Sequence, residues 1–463
     1  MTTSVTQSQI SINNPVISDS RLKPTKKTVD TVSLALILVF SLGLGAVLGL
    51  TFITVTKSEL DAPGGKSMFL GNLTAMVGTY LALIMLILIS RNYIMEKVLG
   101  QDQLIHWHRK IGPWPLTLIA AHVVLTTIGY AQAAKTNVFH ELSTFISSFP
   151  NLLAAIIGFI FMAIAGILTI KYIRERIKRE TWWSVHLLLY IAMIISFAHI
   201  IGLGPAFVGH PLATHLWALV WILVAVIIFT FRFAIPIYKN LYHNIRVHQV
   251  QIVADNVTSI ICTGYNLQKL KAQGGQFFYW RFLTKKMWWQ AHPFSISSIP
   301  DTNFIRLTVK NLGDYTSELS NLRAGTKVYV EGPYGVFTKY RQLTRKALLI
   351  SGGIGMTALR SLLEDLPTKS QPVVINRAAI KDELVLHDEI LNLVKLKKGV
   401  LHEVIGSRAD INFNGAMIKK LVPDLFKRDV FLSGSQEFID YTLYLLHSLG
   451  INDDYIHYEV YSL

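Results

Sequence analysis

The chain has 463 residues, 51% of them hydrophobic and only 16% charged, with a formal net charge of +15. That is too apolar for an ordinary water-soluble protein, and no DNA- or RNA-binding motif accompanies the positive charge. The single cysteine, Cys262, excludes an internal disulfide, a Cys-x-x-Cys-His haem attachment and a four-cysteine iron–sulfur cluster.

Residues 1–30, rich in Ser, Thr, Asn and Lys, read as a disordered tail. Uncharged runs follow at 31–55, 67–90, 111–134, 142–170 and 181–231. Each of the first four is long enough for one membrane crossing. The first is too long for a signal-peptide core and lacks a clear cleavage site, so it is read as a retained helix. The fifth carries Gly202, Gly204, Pro205, Gly209 and Pro211 near its middle and divides into two helices around a turn. Six spans within 31–235 are expected. Positive side chains crowd three segments: Arg21, Lys23, Lys26 and Lys27; Arg91, Lys97, Arg109 and Lys110; and Lys171, Arg174, Arg176, Lys178 and Arg179. The alternate connections hold only Lys57, Lys66 and Lys135. The positive-inside rule then puts both termini in the cytoplasm of a multi-pass plasma-membrane protein, and topology accounts for part of the net charge.

Four histidines sit near the ends of the third and fifth spans, His108 and His122 on one, His186 and His199 on the other. At ~1.5 Å per residue, steps of 14 and 13 residues cover roughly 20 Å, two thirds of a hydrocarbon core of ~30 Å. Two such helices facing each other can hold two metalloporphyrins, one above the other, each iron gripped by one imidazole per helix. A lone histidine in an apolar helix is as often a core residue bonded to a carbonyl, but ionisable groups inside a membrane are functional candidates by default. The 14-residue step returns within about 40° of its starting face, while His106 lies roughly 160° from His122. The 13-residue step misses by about 140°, so the fifth span needs a π-like widening or a bend.

This pattern resembles the ferric reductase and NADPH oxidase superfamily of membrane cytochromes b. The resemblance implies two b-type haems, an inner one on His108 and His186 and an outer one on His122 and His199. Both axial sites of each iron are then filled, which suits electron transfer and not direct oxygen binding. Arg109 and Lys110 are either haem-propionate partners or ordinary positive-inside residues.

Beyond the spans, runs at 247–264, Phe277-Phe278-Tyr279, 304–309 and Val328-Tyr329-Val330 read as short strands of a small antiparallel barrel within 245–340. Four motifs resemble the flavin barrel of the ferredoxin–NADP reductase family: Gly275-Gln276-Phe277, His292-Pro293-Phe294-Ser295, Gly313-Asp314-Tyr315-Thr316 and Gly332-Pro333-Tyr334-Gly335. The resemblance implies bound FAD, with the Ser295 hydroxyl near its reactive edge. The Gly313–Thr316 turn would precede a helix, 317–322, whose N-terminus cradles the diphosphate. From 345 to 463, strand and helix alternate, which argues for a parallel sheet. Ala347–Ile350 leads into Gly352-Gly353-Ile354-Gly355-Met356-Thr357, the family's nicotinamide-side signature, where glycines let a pyrophosphate approach a helix N-terminus. Arg377, closing a second strand, is either a 2′-phosphate ligand favouring NADPH over NADH or a solvated surface arginine. Ser433 stands where the family has cysteine, and Tyr461 matches the aromatic residue that covers the flavin.

The fold class expected is thus an all-α, six-helix haem domain in the membrane followed by a ferredoxin–NADP reductase-like module: an FAD barrel plus an α/β NAD(P)-binding domain. The activity implied is transfer of electrons from NADPH through FAD and two haems to an external one-electron acceptor, oxygen or a ferric chelate. Membrane lipid is the only other partner expected, with no obligatory protein partner. The alternative is a haem-bearing relay or redox-sensing subunit with a degenerate nucleotide domain.

Overall fold

The computed structural model describes residues 26–148, 151–407 and 410–461. Most of the tail read as disordered, and the last two residues of the C-terminal motif, lie outside them. The chain forms two compact units, one of Thr31–Asn92 with Gln101–Phe233, the other drawing Tyr93–Gly100 together with Ala234–Leu463. The connection Tyr93–Gly100, counted by sequence with the spans, therefore groups with the β-rich unit.

Among the described residues six helices are long and apolar enough to cross a membrane: Asp30–Ile53, Gly65–Leu88, Gln103–Ala134, Leu152–Thr169, Thr181–Leu203 and Pro211–His243. Side chains such as Leu38, Leu42, Ile194 and Leu223 remain exposed on them, the faces that lipid would cover. Helix begins at Lys26, inside the stretch assigned to the tail. The fourth uncharged run splits into a short helix, Val138–Ser148, and the span Leu152–Thr169, which starts from Asn151 at a left-handed φ of 62°. The sixth span passes through a π-helical turn, Thr230–Ala234, before Ile235–His243.

Glycine sets the tightest helix contact. Gly64, Gly71 and Gly78 recur every seven residues and face the third span. A Cβ on Gly71 would lie 2.6 Å from Thr126 Cγ2, and one on Gly64 2.0 Å from the Gly129 carbonyl oxygen. Small residues let membrane helices approach closely where no hydrophobic force drives them together.

In the second unit, β1 (Arg246–Ala254), β2 (Val257–Thr263), β3 (Phe277–Phe282), β4 (His292–Ser298), β5 (Phe304–Lys310) and β6 (Val328–Tyr334) form a sheet of order β1-β2-β5-β4-β3-β6. All its pairings are antiparallel. Val247 N–H donates to the Thr326 carbonyl and Val328 N–H to that of Ile245, closing β1 against β6. Trp280, Phe278, Phe282, Ile260 and Leu307 fill the barrel so formed.

The second sheet is parallel, ordered β11-β10-β7-β8-β9. Its strands are β7 (Lys346–Gly352), β8 (Val373–Ala378), β9 (Val400–Ile405), β10 (Arg428–Gly434) and β11 (Ile456–Val460). The helix after β7, α1 (Met356–Asp365), carries the acceptors that join sheet to barrel. Ser361 Oγ accepts from Gly275 N–H, Asp365 from Gly274 N–H and Glu364 from Ile299 N–H. Glu389 adds a two-pronged ion pair with Arg306 at 2.7 Å and a contact with Arg360 at 2.8 Å.

Candidate functional site

The four span histidines lie as two neighbouring pairs, one from each of the two helices. His108 and His186 have ring centres 6.3 Å apart, and His122 and His199 have theirs 6.5 Å apart. A metal–imidazole bond of about 2 Å, with the ring centre ~1.1 Å behind the nitrogen, puts two trans imidazoles ~6.2 Å apart, so both gaps fit an iron between the rings. No cluster of three or more His, Cys, Asp or Glu among the described residues could hold a metal ion. Two protein donors facing each other suit a metal whose remaining ligands come from a porphyrin. His106 is exposed.

The fifth span resolves its awkward 13-residue step at Leu187, directly after His186, where the helix is interrupted between Arg179–His186 and Leu188–Leu203. Tyr190 N–H donates to the Leu187 carbonyl three residues back. That 3₁₀-type contact winds the helix tighter, so of the two expected irregularities, a π-like widening or a bend, the widening is absent at Leu187 and the helix is broken there instead.

The pairs are supported differently. His122 Nδ1 lies 3.0 Å from the Gly71 carbonyl oxygen, which can only accept, so Nδ1 carries the proton and Nε2 keeps its lone pair for a metal. Nδ1 of His186 and of His199 is buried without a partner, and that of His108 makes no hydrogen bond of normal geometry. His186 is held by stacking. Trp182 lies parallel to its ring at 5.0 Å, and the Arg174 guanidinium sits over Trp182 at 4.8 Å. Arg109 and Lys110 are exposed. Gly71 and Trp182 escaped the sequence analysis, although the seven-residue glycine spacing signalled the first.

In the barrel unit, Ser295 and Tyr461 meet across 166 residues of sequence, the Tyr461 hydroxyl donating to Ser295 Oγ at 3.0 Å. Ser295 Oγ in turn donates to Glu459 Oε1 at 2.8 Å. Desolvation, helped by the Glu459 charge, pushes the Tyr461 phenol above its ordinary range. Ser433 Oγ is buried without a hydrogen bond of normal geometry, although it weighs on the same phenol. Glu459 was quoted only as part of the terminal motif; its role appears when β11 lies beside β10.

Around the first barrel motif, His292 stacks on Tyr315 at 3.7 Å, with Phe294 beside them. Tyr315 Oη and Arg281 Nε are buried and unpartnered, a phenol and a guanidinium suited to the diphosphate and ring edges of a flavin nucleotide. Pro293 pairs with Tyr279 across β3 and β4. The Gly313 turn differs from expectation: helix runs from Asp314 to Glu318, so Thr316 lies inside it. Thr316 Oγ1 accepts from Leu312 and Gly313 N–H, at 2.9 and 3.0 Å. The Gly332–Pro333 bond is cis, Gly332 and Gly335 have φ of 147° and 98°, and Glu96 Oε1 accepts from Gly335 N–H at 2.6 Å.

At the carboxyl ends of β7 and β10, the sheet's switch point, Gly352, Gly353 and Gly355 border Ser433 and Gly434. A Cβ on Gly355 would lie 2.2 Å from the Ser433 carbonyl oxygen. The turn opens into α1, where Thr357 Oγ1 donates to Ile354. Arg377 is the penultimate residue of β8, one short of its end, and its guanidinium donates to the carbonyls of Ala378, Val404 and Ser407.

Six apolar helices joined to a flavin-type barrel and a parallel nucleotide sheet define a multi-pass membrane flavoprotein. Residues 74–197 match the family described as "Ferric reductase like transmembrane component", and residues 242–338 match the "FAD-binding domain" family. The chain therefore joins these two modules, and its homologues are ferric reductases and respiratory burst oxidase homologues. "Ferric/cupric reductase transmembrane component 1" of Candida albicans is 22% identical over 64% of this chain and 38% of that one. "Putative respiratory burst oxidase homolog protein J" of Arabidopsis thaliana is 24% identical over 48% of this chain and 29% of that one. The chain thus spans about a third of the length of these curated relatives. The FAD/NAD-binding domain of nitric oxide dioxygenase from Vibrio cholerae aligns at TM-score 0.39 and 20% identity, over 47% of this chain and 98% of that one. The fold assignment rests on the strand order itself.

Proposed function

We propose that this chain is a transmembrane NAD(P)H oxidoreductase. His108 and His186 would hold an inner haem and His122 and His199 an outer one, groups that would supply single-electron transfer between an FAD reduced by NADPH and an acceptor outside the cytoplasm. The observation that carries the reading is the pair of imidazole gaps, 6.3 and 6.5 Å, each sized for an iron. Bound FAD supplies the conversion of a two-electron hydride donor into single electrons.

The chain's own residues then have distinct tasks. Tyr461 covers the flavin position and gives way to nicotinamide. Ser295 Oγ holds a proton that Glu459 Oε1 can accept. Gly352, Gly353 and Gly355 admit the nucleotide diphosphate at the start of α1, with Thr357 behind them. Arg281 and the Gly313–Thr316 turn face the FAD diphosphate, and His292 and Phe294 flank the ring system with Gly332 and Gly335. Because Arg377 already serves three carbonyls, 2′-phosphate recognition rests on its remaining donor capacity, and NADH is a second candidate nucleotide. The Lys and Arg crowding of the alternate connecting segments supports a cytoplasmic nucleotide-binding unit in a plasma-membrane protein.

The test is the haem count of purified chain by pyridine haemochrome, with NADPH consumption under air and then under nitrogen with a ferric chelate. Two haems per chain and sustained NADPH oxidation are expected. Ser433 in place of cysteine favours a second reading, a relay subunit with a degenerate nucleotide domain. Two haems with no flavin reduction by either NADPH or NADH would select it.

A further inference from the structure

We propose that Arg174, acting through the stacked rings of Trp182 and His186, sets how readily the inner haem site takes up an electron. The inference rests on the reading above, in which an iron stands between His108 and His186.

Arg174 belongs to the positive connection between the fourth and fifth spans, where topology alone accounts for a cation. Its neighbours there face other groups. Lys171 meets Glu175 at 4.0 Å, and the Arg176 guanidinium lies over the Tyr172 ring at 3.4 Å. Arg174 instead reaches the first helix of the fifth span, Arg179–His186, with its guanidinium carbon 4.8 Å from the centre of the Trp182 ring. Trp182 stands four residues before His186, on the same helix face. Its ring is inclined only 22° to the imidazole, and the two centres are 5.0 Å apart. These two legs hold the cation within about 10 Å of the imidazole centre.

No hydrogen bond competes with the stack. Nδ1 of His186 and Nε1 of Trp182 are both buried without a partner. The surroundings of this imidazole therefore come from rings and a cation, not from the carbonyl or carboxylate that a metal-bound histidine usually meets. His122 is the opposite case, since its Nδ1–H donates to the Gly71 carbonyl. The orphaned indole N–H is also a donor that a haem carboxylate would satisfy.

The sign of the effect follows from charge. An iron that gains one electron loses one unit of positive charge, and a fixed cation nearby favours that change. Arg174 thus raises the reduction potential of the inner site. The electron comes from reduced flavin; no bond forms or breaks and no proton moves. Across roughly 12 Å at an effective dielectric near 20, the attraction is worth up to about ten-fold in the ratio of reduced to oxidised iron. Arg174 is exposed, and screening by solvent and salt brings this to about three- to five-fold.

The test is a potentiometric titration of the purified full chain, followed by haem absorbance, in wild type, Arg174→Gln and Arg174→Lys. The wave that persists in His122→Ala belongs to the inner site. Its midpoint should fall in Arg174→Gln by a three- to five-fold change in that ratio, ~30–40 mV at 59 mV per tenfold. Arg174→Lys should keep most of the wild-type value, because the charge remains, and the outer wave should stay in place in both. In a Trp182→Leu background, Arg174→Gln should add little. Wild type alone gives a second reading. From ~0.1 to ~1 M salt the screening length falls from ~10 to ~3 Å, and the inner midpoint should fall while the outer does not. An inner midpoint unchanged by both substitution and salt, or two waves that move together, overturns the inference and leaves two haems per chain standing. Equal shifts in Arg174→Gln and Arg174→Lys mark a structural role and overturn it as well. A chain that binds no haem overturns the inference together with the reading beneath it.

Discussion

In the membrane-spanning unit His122 is oriented by a single carbonyl, that of Gly71, and His186 by the face of one indole. In the other unit Ser295 sits in a chain of hydrogen bonds to Glu459 and Tyr461, backed by an ion network around Glu389. The first arrangement depends on volume, because helices spaced by glycine leave no room for another methyl group. The second depends on charge and on polar atoms that must stay matched. The two regions should therefore fail under different insults.

The largest expected effect comes from the histidines. His122→Ala should remove one of two haems and leave flavin reduction by NADPH intact. His186→Ala should remove the other and stop electrons before the outer iron. Full haem content in His122→Ala would dissolve the pairing. Next, Arg281→Ala should weaken FAD binding about 10- to 100-fold, given ~1.5–3 kcal/mol for a charge-assisted hydrogen bond. Flavin retention on gel filtration reads it, and wild-type retention would place the diphosphate elsewhere.

Gly71→Val should cost about 1–3 kcal/mol by overpacking against Thr126 and depress the outer haem alone. Equal loss of both haems would show that its effect is global. Acid tests the charged unit. Burial opposes ionisation of Glu389, but Arg306 and Arg360 override it and hold the carboxyl below 4.5. The stabilisation is complete above that value and drains away as pH falls through the lower, folded-state pKa. The junction of barrel and sheet should loosen there, seen as rising amide exchange at Gly274 and Gly275, with the spans unaffected. Trp182→Ala is the mildest, removing a stack worth ~0.5–1.5 kcal/mol. It should shift the low-spin electron paramagnetic resonance signal of the inner haem only.

Much of this architecture was legible in the chain itself. Uncharged runs announced the spans, and short turn-bounded strands announced the barrel, because lipid and sheet impose simple periodicities. Spacing alone favoured His108 with His122 on one face; the pairing across the helices was implied by the resemblance, and the tightened turn at Leu187 falls within the 13-residue step that an ideal helix leaves out of phase. Glu459 and Arg281 were not legible as site residues. Ser295, the partner of Glu459, lies 164 residues away in sequence, and Arg281 shows itself only when the closed barrel buries its Nε. The helix at Asp314 began before its expected start because the Thr316 hydroxyl takes the Leu312 and Gly313 N–H groups.

The repeat of Gly64, Gly71 and Gly78 also limits how this sequence can drift. A lipid-facing leucine can be exchanged for isoleucine or phenylalanine with little consequence. A residue with no side chain has nothing to trade, so any change must be matched by a concession on the opposite helix. At Gly71 the only ready concession is at Thr126, whose Cγ2 stands where a new Cβ would go. Substitutions at these two positions should thus be tolerated together and punished separately. Saturation mutagenesis of the pair would expose this as strong positive epistasis for Gly71→Ala with Thr126→Gly.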